Sequence, residues 1–223
     1  MAFIRPFKPE DTEAAKHICR ATLPPSLTSS PAAVRMAPYL WTLQFTTLSP
    51  STCLVLDDGT GTAVGYVIGT PDVFAFAASY PRYVTEVLQS PQGLEDVPPP
   101  AQLETQVPWA LDGGVNPECL AQMAYSVDWL VLEGVEGKRE LVEGWRAMLH
   151  IDLLEGWQGK GWGGKMIGEF VERVKASGGD FGRGIQLGVA GENRKVVGFY
   201  EKVGFRVYPG GEKEGNVWMV RDL

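Results

Sequence analysis

Two groups of residues in this 223-residue chain have the types and spacing to do chemistry. The first is the run Gln158-Gly-Lys-Gly-Trp-Gly-Gly-Lys165. Glycine lets a backbone approach a ligand closely, and free N–H groups at a helix start attract anions, so such a run suits phosphates. Gly159, Gly161, Gly163 and Gly164 fall within six positions, costly in backbone entropy unless something needs the space. Lys160 and Lys165 can add positive charge. The second group is His150 and Asp152, two apart on a strand-like stretch and therefore on one face. Two polar groups on one face of an apolar strand can receive a proton, with Asp152 as base and His150 as its partner. A purely structural His–Asp hydrogen bond is the alternative.

The elements that must position these groups follow from pattern. Residues 147–154 have strand character, and the glycine run after them reads as a turn. From Lys165 to Ala176, Met166, Ile167, Phe170, Val171 and Val174 share one helical face. Gly178-Gly179 ends that helix. Residues 185–190 are the next strand. Asn193 is placed to cap a helix over about 194–203, with Gly204 at its end. Residues 205–208 and 216–220 could close the sheet.

Upstream, residues 2–7 read as a strand, 9–19 as a helix and 31–45 as a second helix. Residues 52–59 and 63–69 read as a hairpin turned at Asp57-Asp58-Gly59-Thr60-Gly61. Phe74 to Gln89 reads as a helix broken at Pro81. The stretch from Gln92 to Pro117, rich in Pro and Gly, reads as a loop or covering arm. Residues 119–132 carry helical spacing. The expected fold class is layered α/β, a mixed sheet with helices on its faces.

Composition narrows the function classes. Hydrophobic residues make up 44% and charged residues 21%, as in ordinary globular chains. The net charge of −7 lacks the basic footprint of a nucleic-acid binder. No apolar stretch approaches the roughly 20 residues that cross a bilayer, and the first residues lack the apolar core of a secretory signal. Cys19, Cys53 and Cys119 lie far apart, and there are two histidines, His17 and His150. Neither a disulfide framework nor a metal site is expected, and a cytoplasmic or nuclear setting fits.

Three phosphate motifs overlap on the glycine run. The nucleoside-triphosphate P-loop is met through Lys165, but its eighth position is Met166, which offers magnesium no hydroxyl. The dinucleotide pattern Gly-x-Gly-x-x-Gly is met by Gly159, Gly161 and Gly164, yet too little chain follows to build that fold, and its expected acid would be Asp180 in a glycine-rich turn. The third match extends further. Gln158-Gly-Lys-Gly-Trp-Gly163 resembles the Gln/Arg-x-x-Gly-x-Gly/Ala pattern of the GNAT superfamily of acyl-CoA-dependent N-acyltransferases. Asn193 followed by Phe199-Tyr200-Glu-Lys-Val-Gly204-Phe205 is similar to the ending of that family. The resemblance is specific over about 145–208 and architectural over 1–70, while 71–144 matches nothing. Residues 149–163 are also similar to the acetyltransferase-like domain attached to animal O-GlcNAcases and its free-standing microbial relatives. The animal domain is treated as a pseudo-acetyltransferase with a degraded cofactor loop, whereas this chain keeps the loop.

The resemblance implies a mostly antiparallel sheet, one domain over 1–223 and an insert at about 71–144. It implies acetyl-CoA as cofactor, gripped at its pyrophosphate by Gln158, Gly159, Lys160, Gly161, Trp162, Gly163, Gly164 and Lys165. Its pantetheine arm would lie along Leu153 and Leu154, with a backbone N–H near Leu153 on the thioester oxygen. Glu155 stands where members often carry Pro. Asn193, Phe199 and Lys202, with Arg194 and Val197, would lie beside the cofactor. Tyr200 matches the usual proton donor to the thiolate, its phenol protonated at neutral pH. The expected reaction is acetyl transfer to a small-molecule or peptide primary amine by direct attack in a ternary complex, with no metal, nucleic-acid or membrane partner. The rival is a pseudo-acetyltransferase that binds without turnover. The insert is expected to shape the acceptor groove, with Trp109, Tyr125, Asp128 and Trp129 as conceivable lining residues.

Overall fold

The structure, a computed structural model, describes residues 1–133, 136–213 and 215–223, the side chain at 213 excepted. Positions 134 and 135, inside the expected insert, lie outside the described residues. In chain order the elements are β1 (Phe3–Pro6), α1 (Thr12–Ala21), α2 (Pro25–Thr28), α3 (Pro31–Trp41), α4 (Leu43–Leu48), β2 (Leu54–Asp57) and β3 (Ala63–Thr70). Then come α5 (Val73–Tyr83), α6 (Pro91–Asp96), β4 (Ala110–Leu111), β5 (Gly114–Val115), α7 (Pro117–Tyr125) and α8 (Lys138–Gly144). The last are β6 (Ala147–Leu153), α9 (Trp162–Ala176), β7 (Gly184–Ala190), α10 (Val197–Lys202), β8 (Arg206–Lys213) and β9 (Asn216–Asp222).

One sheet runs β1-β2-β3-β6-β7-β9-β8, and β4 with β5 forms a separate ribbon. Neighbours in the large sheet are antiparallel except β6 and β7, so the mixed, mostly antiparallel architecture with helices on both faces is what forms. Alternation along β6 divides the core in two. Leu149, Ile151 and Leu153 pack with Met166, Ile167, Phe170, Val171 and Val174 of α9 on one face. Tyr66 and Ile68 of β3 face the other side, against α1, α3, α4, α5 and α7. Each fully buried α9 side chain contributes roughly 1.5–3 kcal/mol of transfer free energy, which sets the helix on the sheet with that stripe inward.

Local chemistry marks the helix starts. Ser30 caps α3 through the Ala33 N–H, Asp72 caps α5 through Phe74, and Asn116 caps α7 through Glu118. Four features depart from the sequence expectations. The helix expected over 31–45 divides at Thr42, whose φ of −129° and ψ of −61° leave the helical region. Pro81 does not break its helix: its fixed φ suits the α region, and α5 runs on into a π-helical turn, Val84–Leu88, whose wider spacing absorbs the misfit. The Gln92–Pro117 stretch contains α6 and the ribbon, which turns at Asp112 and Gly113, both at positive φ, the signature of a tight hairpin. Asn193 caps no helix. It sits at φ −103°, ψ 17° inside a 3-10 turn, Gly191–Val196, and α10 starts later, after Val196.

Candidate active site

The one parallel pair supplies a gap. β6 and β7 pair only at Ala147↔Ile185 and Met148↔Gln186. Beyond that point β6 continues along β3 to Leu153, and β7 continues along β9 to Ala190. The strands therefore splay. Leu154 donates its N–H to Val64 O at 3.0 Å, on the β3 side. Backbone N–H groups alternate sides along a strand, so that of Leu153 points the other way, into the gap. Leu154 thus has no free N–H to offer a ligand, while Leu153 does.

The glycine loop closes the end of β6. Leu154 is followed by a 3-10 turn, Glu155–Trp157, so the position where family members carry Pro is held here by a hydrogen-bonded turn. Gln158 Nε2 donates to Leu153 O at 2.7 Å and ties the loop back to the strand. Gly159 and Gly161 stand at φ of +70° and +81°, a region open to glycine at little cost. Gly161 begins α9 without a side chain, so the first-turn N–H groups of Trp162, Gly163 and Gly164 receive no side-chain cap. Open space lies where side chains at 159 and 161 would begin. These features fit a diphosphate. Lys160 and Lys165 are engaged locally: Lys160 Nζ donates to Gly156 O at 2.6 Å, and Lys165 Nζ lies 4.7 Å from the Trp162 ring centre.

Helix α10 lies against the loop. A Cβ on Gly163 would come within 2.9 Å of the Phe199 ring, so glycine there allows the two helices their close approach. Tyr200 packs between Phe199 and Phe205, tilted to the first and edge-on to the second, with ring centres 5.1 and 5.8 Å away. Burial pushes its phenol well above the usual range, and the negative charge of Asp152 pushes it the same way. Tyr200 and Asp152 therefore share one electrostatic environment across the splay. Asn193 and Lys202 are exposed, and Arg194 is ion-paired with Glu212.

On the other face, His150 and Asp152 meet as their spacing predicts. His150 Nε2 lies 3.0 Å from Asp152 Oδ2. Sequence patterning missed the third member: Tyr66, directly opposite Asp152 in the β3–β6 register, donates its hydroxyl to the same Oδ2 at 2.6 Å. Its phenol is fully buried and held far above its ordinary range, by burial first and then by the Asp152 charge, so it stays a donor. Behind it Thr42 Oγ1 lies 3.4 Å from the Tyr66 hydroxyl. Cys19 is close by, its thiol pushed up to about 12 chiefly by burial. Only pairing across strands and the helix break at Thr42 could have signalled these residues.

The 71–144 segment covers this face. Tyr125 OH donates to Leu88 O and Val97 O, a packing role, and Trp109 is exposed on the approach to β4. α2 reaches across: Ser26 N–H donates to Glu192 Oε2 at 3.3 Å, just beyond β7, and α2 also packs beside β5.

Residues 100–205 match the model of the acetyltransferase (GNAT) family. The whole chain is also similar to the crystal structure of SsHAT, with TM-score 0.77, 26% identity, and coverage of 99% of this chain and 98% of that one. The chain therefore has the fold of that structure, and its 100–205 segment resembles the GNAT acetyltransferase family. The same fold recurs in two more distant GNAT structures. One is the PaiA N-acetyltransferase from Thermoplasma acidophilum in complex with coenzyme A, at TM-score 0.55, 13% identity and coverage of 100% and 99%. The other is the GNAT superfamily phosphinothricin acetyltransferase from Sinorhizobium meliloti in complex with AcCoA, at TM-score 0.50, 16% identity and coverage of 100% and 88%. Within this fold, the splay, the glycine loop and Tyr200 adjoin one another, and the His150–Asp152–Tyr66 cluster lies on the face covered by α1, α3, α4, α5 and α7.

Proposed function

We propose that the chain is an acetyl-CoA-dependent N-acetyltransferase that passes acetyl to a primary amine by direct attack in a ternary complex. The observation that carries this is convergence: a loop with open backbone donors, a strand edge with a free N–H at Leu153, a half-buried phenol and a carboxylate adjoin one splay. The diphosphate would rest on the 158–165 loop, with the pantetheine arm along Leu153. Bound acetyl-CoA supplies an activated acetyl thioester.

The chain's own residues supply the rest. The Leu153 N–H is placed to stabilise negative charge on a carbonyl oxygen. Tyr200, protonated at any physiological pH, holds the proton a leaving thiolate needs. His150 Nε2 lies 3.0 Å from Asp152 Oδ2, so the imidazole and the carboxylate stand together as the pair that can accept the amine's proton. Cys19 and Cys53 are buried thiols pushed up to about 12, which argues against a covalent cysteine relay. Residues 71–144 form an insert in this single domain and, with α2, shape the acceptor side.

Two measurements test this. Calorimetry with acetyl-CoA should give saturable heat and a raised melting temperature. Thiol release should then follow with at least one member of a panel of polyamines, lysine peptides, free N-termini and aminoglycosides. Absence of both heat and shift removes the proposal; binding with no release across the panel turns the assignment to a non-catalytic recognition module.

A further inference from the structure

We propose that Tyr66 is the positioning residue of the acceptor site: its hydroxyl holds Oδ2 of Asp152, beside the His150 imidazole, and leaves Oδ1 to receive the primary ammonium of the acceptor. This rests on the N-acetyltransferase assignment above. The two contacts are 2.6 Å from the Tyr66 hydroxyl and 3.0 Å from His150 Nε2. The Tyr66 hydrogen bond and the nearby imidazole crowd Oδ2, so an incoming cation meets Oδ1 more readily. Among the described residues no donor of the chain meets Oδ1. The Asp152 side chain is 20% exposed, so the carboxyl group is partly open to solvent.

Tyr66 is built to hold still. Its side chain is completely buried, and it faces Asp152 directly across the β3–β6 ladder. Its proton is committed to the carboxylate, which makes Thr42 the donor in the contact between their hydroxyls. Thr42 is itself fully buried where α3 gives way to α4. Of the titratable groups facing Asp152, Tyr66, Tyr200 and Cys19 stay uncharged in the physiological range, so none of these three neutralises it, and His150 is the fourth group beside it. The carboxylate therefore keeps its attraction for a cation. An amine docked as ammonium on Oδ1 sits beside the pair that must take its proton. An acceptor that is already neutral, such as hydroxylamine, gains little from that arrangement.

The experiment compares the fastest primary amine of the panel with hydroxylamine, using wild type, Tyr66→Phe and Thr42→Val. In Tyr66→Phe the KM for the primary amine should rise about tenfold and that for hydroxylamine should change less than about twofold, as expected for loss of one charge-assisted hydrogen bond. Acetyl-CoA affinity should be unchanged. Thr42→Val should give a smaller selective loss in the same direction, and it carries the comparison alone if Tyr66→Phe shows no cooperative melting. Equal losses with both acceptors, or no loss with either, overturn the positioning role while the enzyme assignment stands. No turnover of any primary amine by wild type overturns both.

Discussion

The two sides of the splay are built from different materials. On the β7 and α9 side, the candidate ligand groups are backbone: positive-φ glycines, uncapped N–H groups at the start of α9 and the Leu153 amide. On the β3 side they are side chains, Tyr66, His150, Asp152 and Thr42, drawn from positions 42 to 152. A backbone site can be written in one short run of sequence, because missing side chains are what make it. A side-chain cluster exists only once register and helix breaks bring its members together. The two sides should therefore fail differently when they are mutated.

The largest effect is expected on the backbone side. Gly161→Val puts a β-branched residue at φ +81° and distorts the first turn of α9. Losing two charge-assisted N–H bonds at about 2 kcal/mol each would weaken acetyl-CoA binding about 1,000-fold by calorimetry. The side-chain cluster should be untouched, so Tyr66→Phe with intact Gly161 keeps full cofactor affinity. If Gly161→Val binds acetyl-CoA normally, the contrast between the two sides is lost.

Tyr200→Phe should come next, because it separates chemistry from binding. The ring still packs between Phe199 and Phe205, so fold and cofactor affinity are preserved. Loss of the proton donor should lower kcat about 100-fold in thiol-release assays. An unchanged kcat would mean that the thiolate leaves without Tyr200, and the phenol would then belong to packing alone.

How far the sequence reveals this molecule follows the same division. Strand β6, the loop and α9 were readable because glycine density, a period-3.6 stripe and a His-x-Asp spacing are all local. Tyr66 was not, since Ala63–Thr70 reads as an apolar hairpin strand and its meaning comes from Asp152 lying opposite, 86 positions away. Thr42 was hidden inside a stretch that patterns as one helix and only the packed chain divides. Asn193 misled for the converse reason: a good capping residue type stands where the chain makes a 3-10 turn, and tertiary packing starts the helix four residues later. Pro81 likewise carries a strong local signal that the surrounding helix absorbs.

The smallest effect is expected at the seam where the 71–144 segment meets the far strands. Lys138 of α8 is almost wholly buried, donates to Leu130 O at 3.2 Å and sits 4.7 Å over the Trp218 ring of β9. A cavity of about 180 Å³, lined partly by Leu141, Tyr208 and Trp218, adjoins it. Burial lowers its amine from 10.5 to about 8. At about 1.4 kcal/mol for each pH unit, housing the charged amine costs on the order of 3 kcal/mol, partly offset by the carbonyl and the ring. Below about pH 8 both folded and unfolded chains carry the proton, so the whole cost is felt. Between about 8 and 10.5 only the unfolded chain still binds it, so stability climbs with pH until the cost is gone. Lys138→Met should therefore stabilise the protein by about 1–2 kcal/mol in urea melts at pH 7, and the gain should vanish near pH 10.5. A gain that is flat with pH would show that packing, not charge, governs this seam. No gain at all would mean that the carbonyl and the ring fully compensate the buried cation.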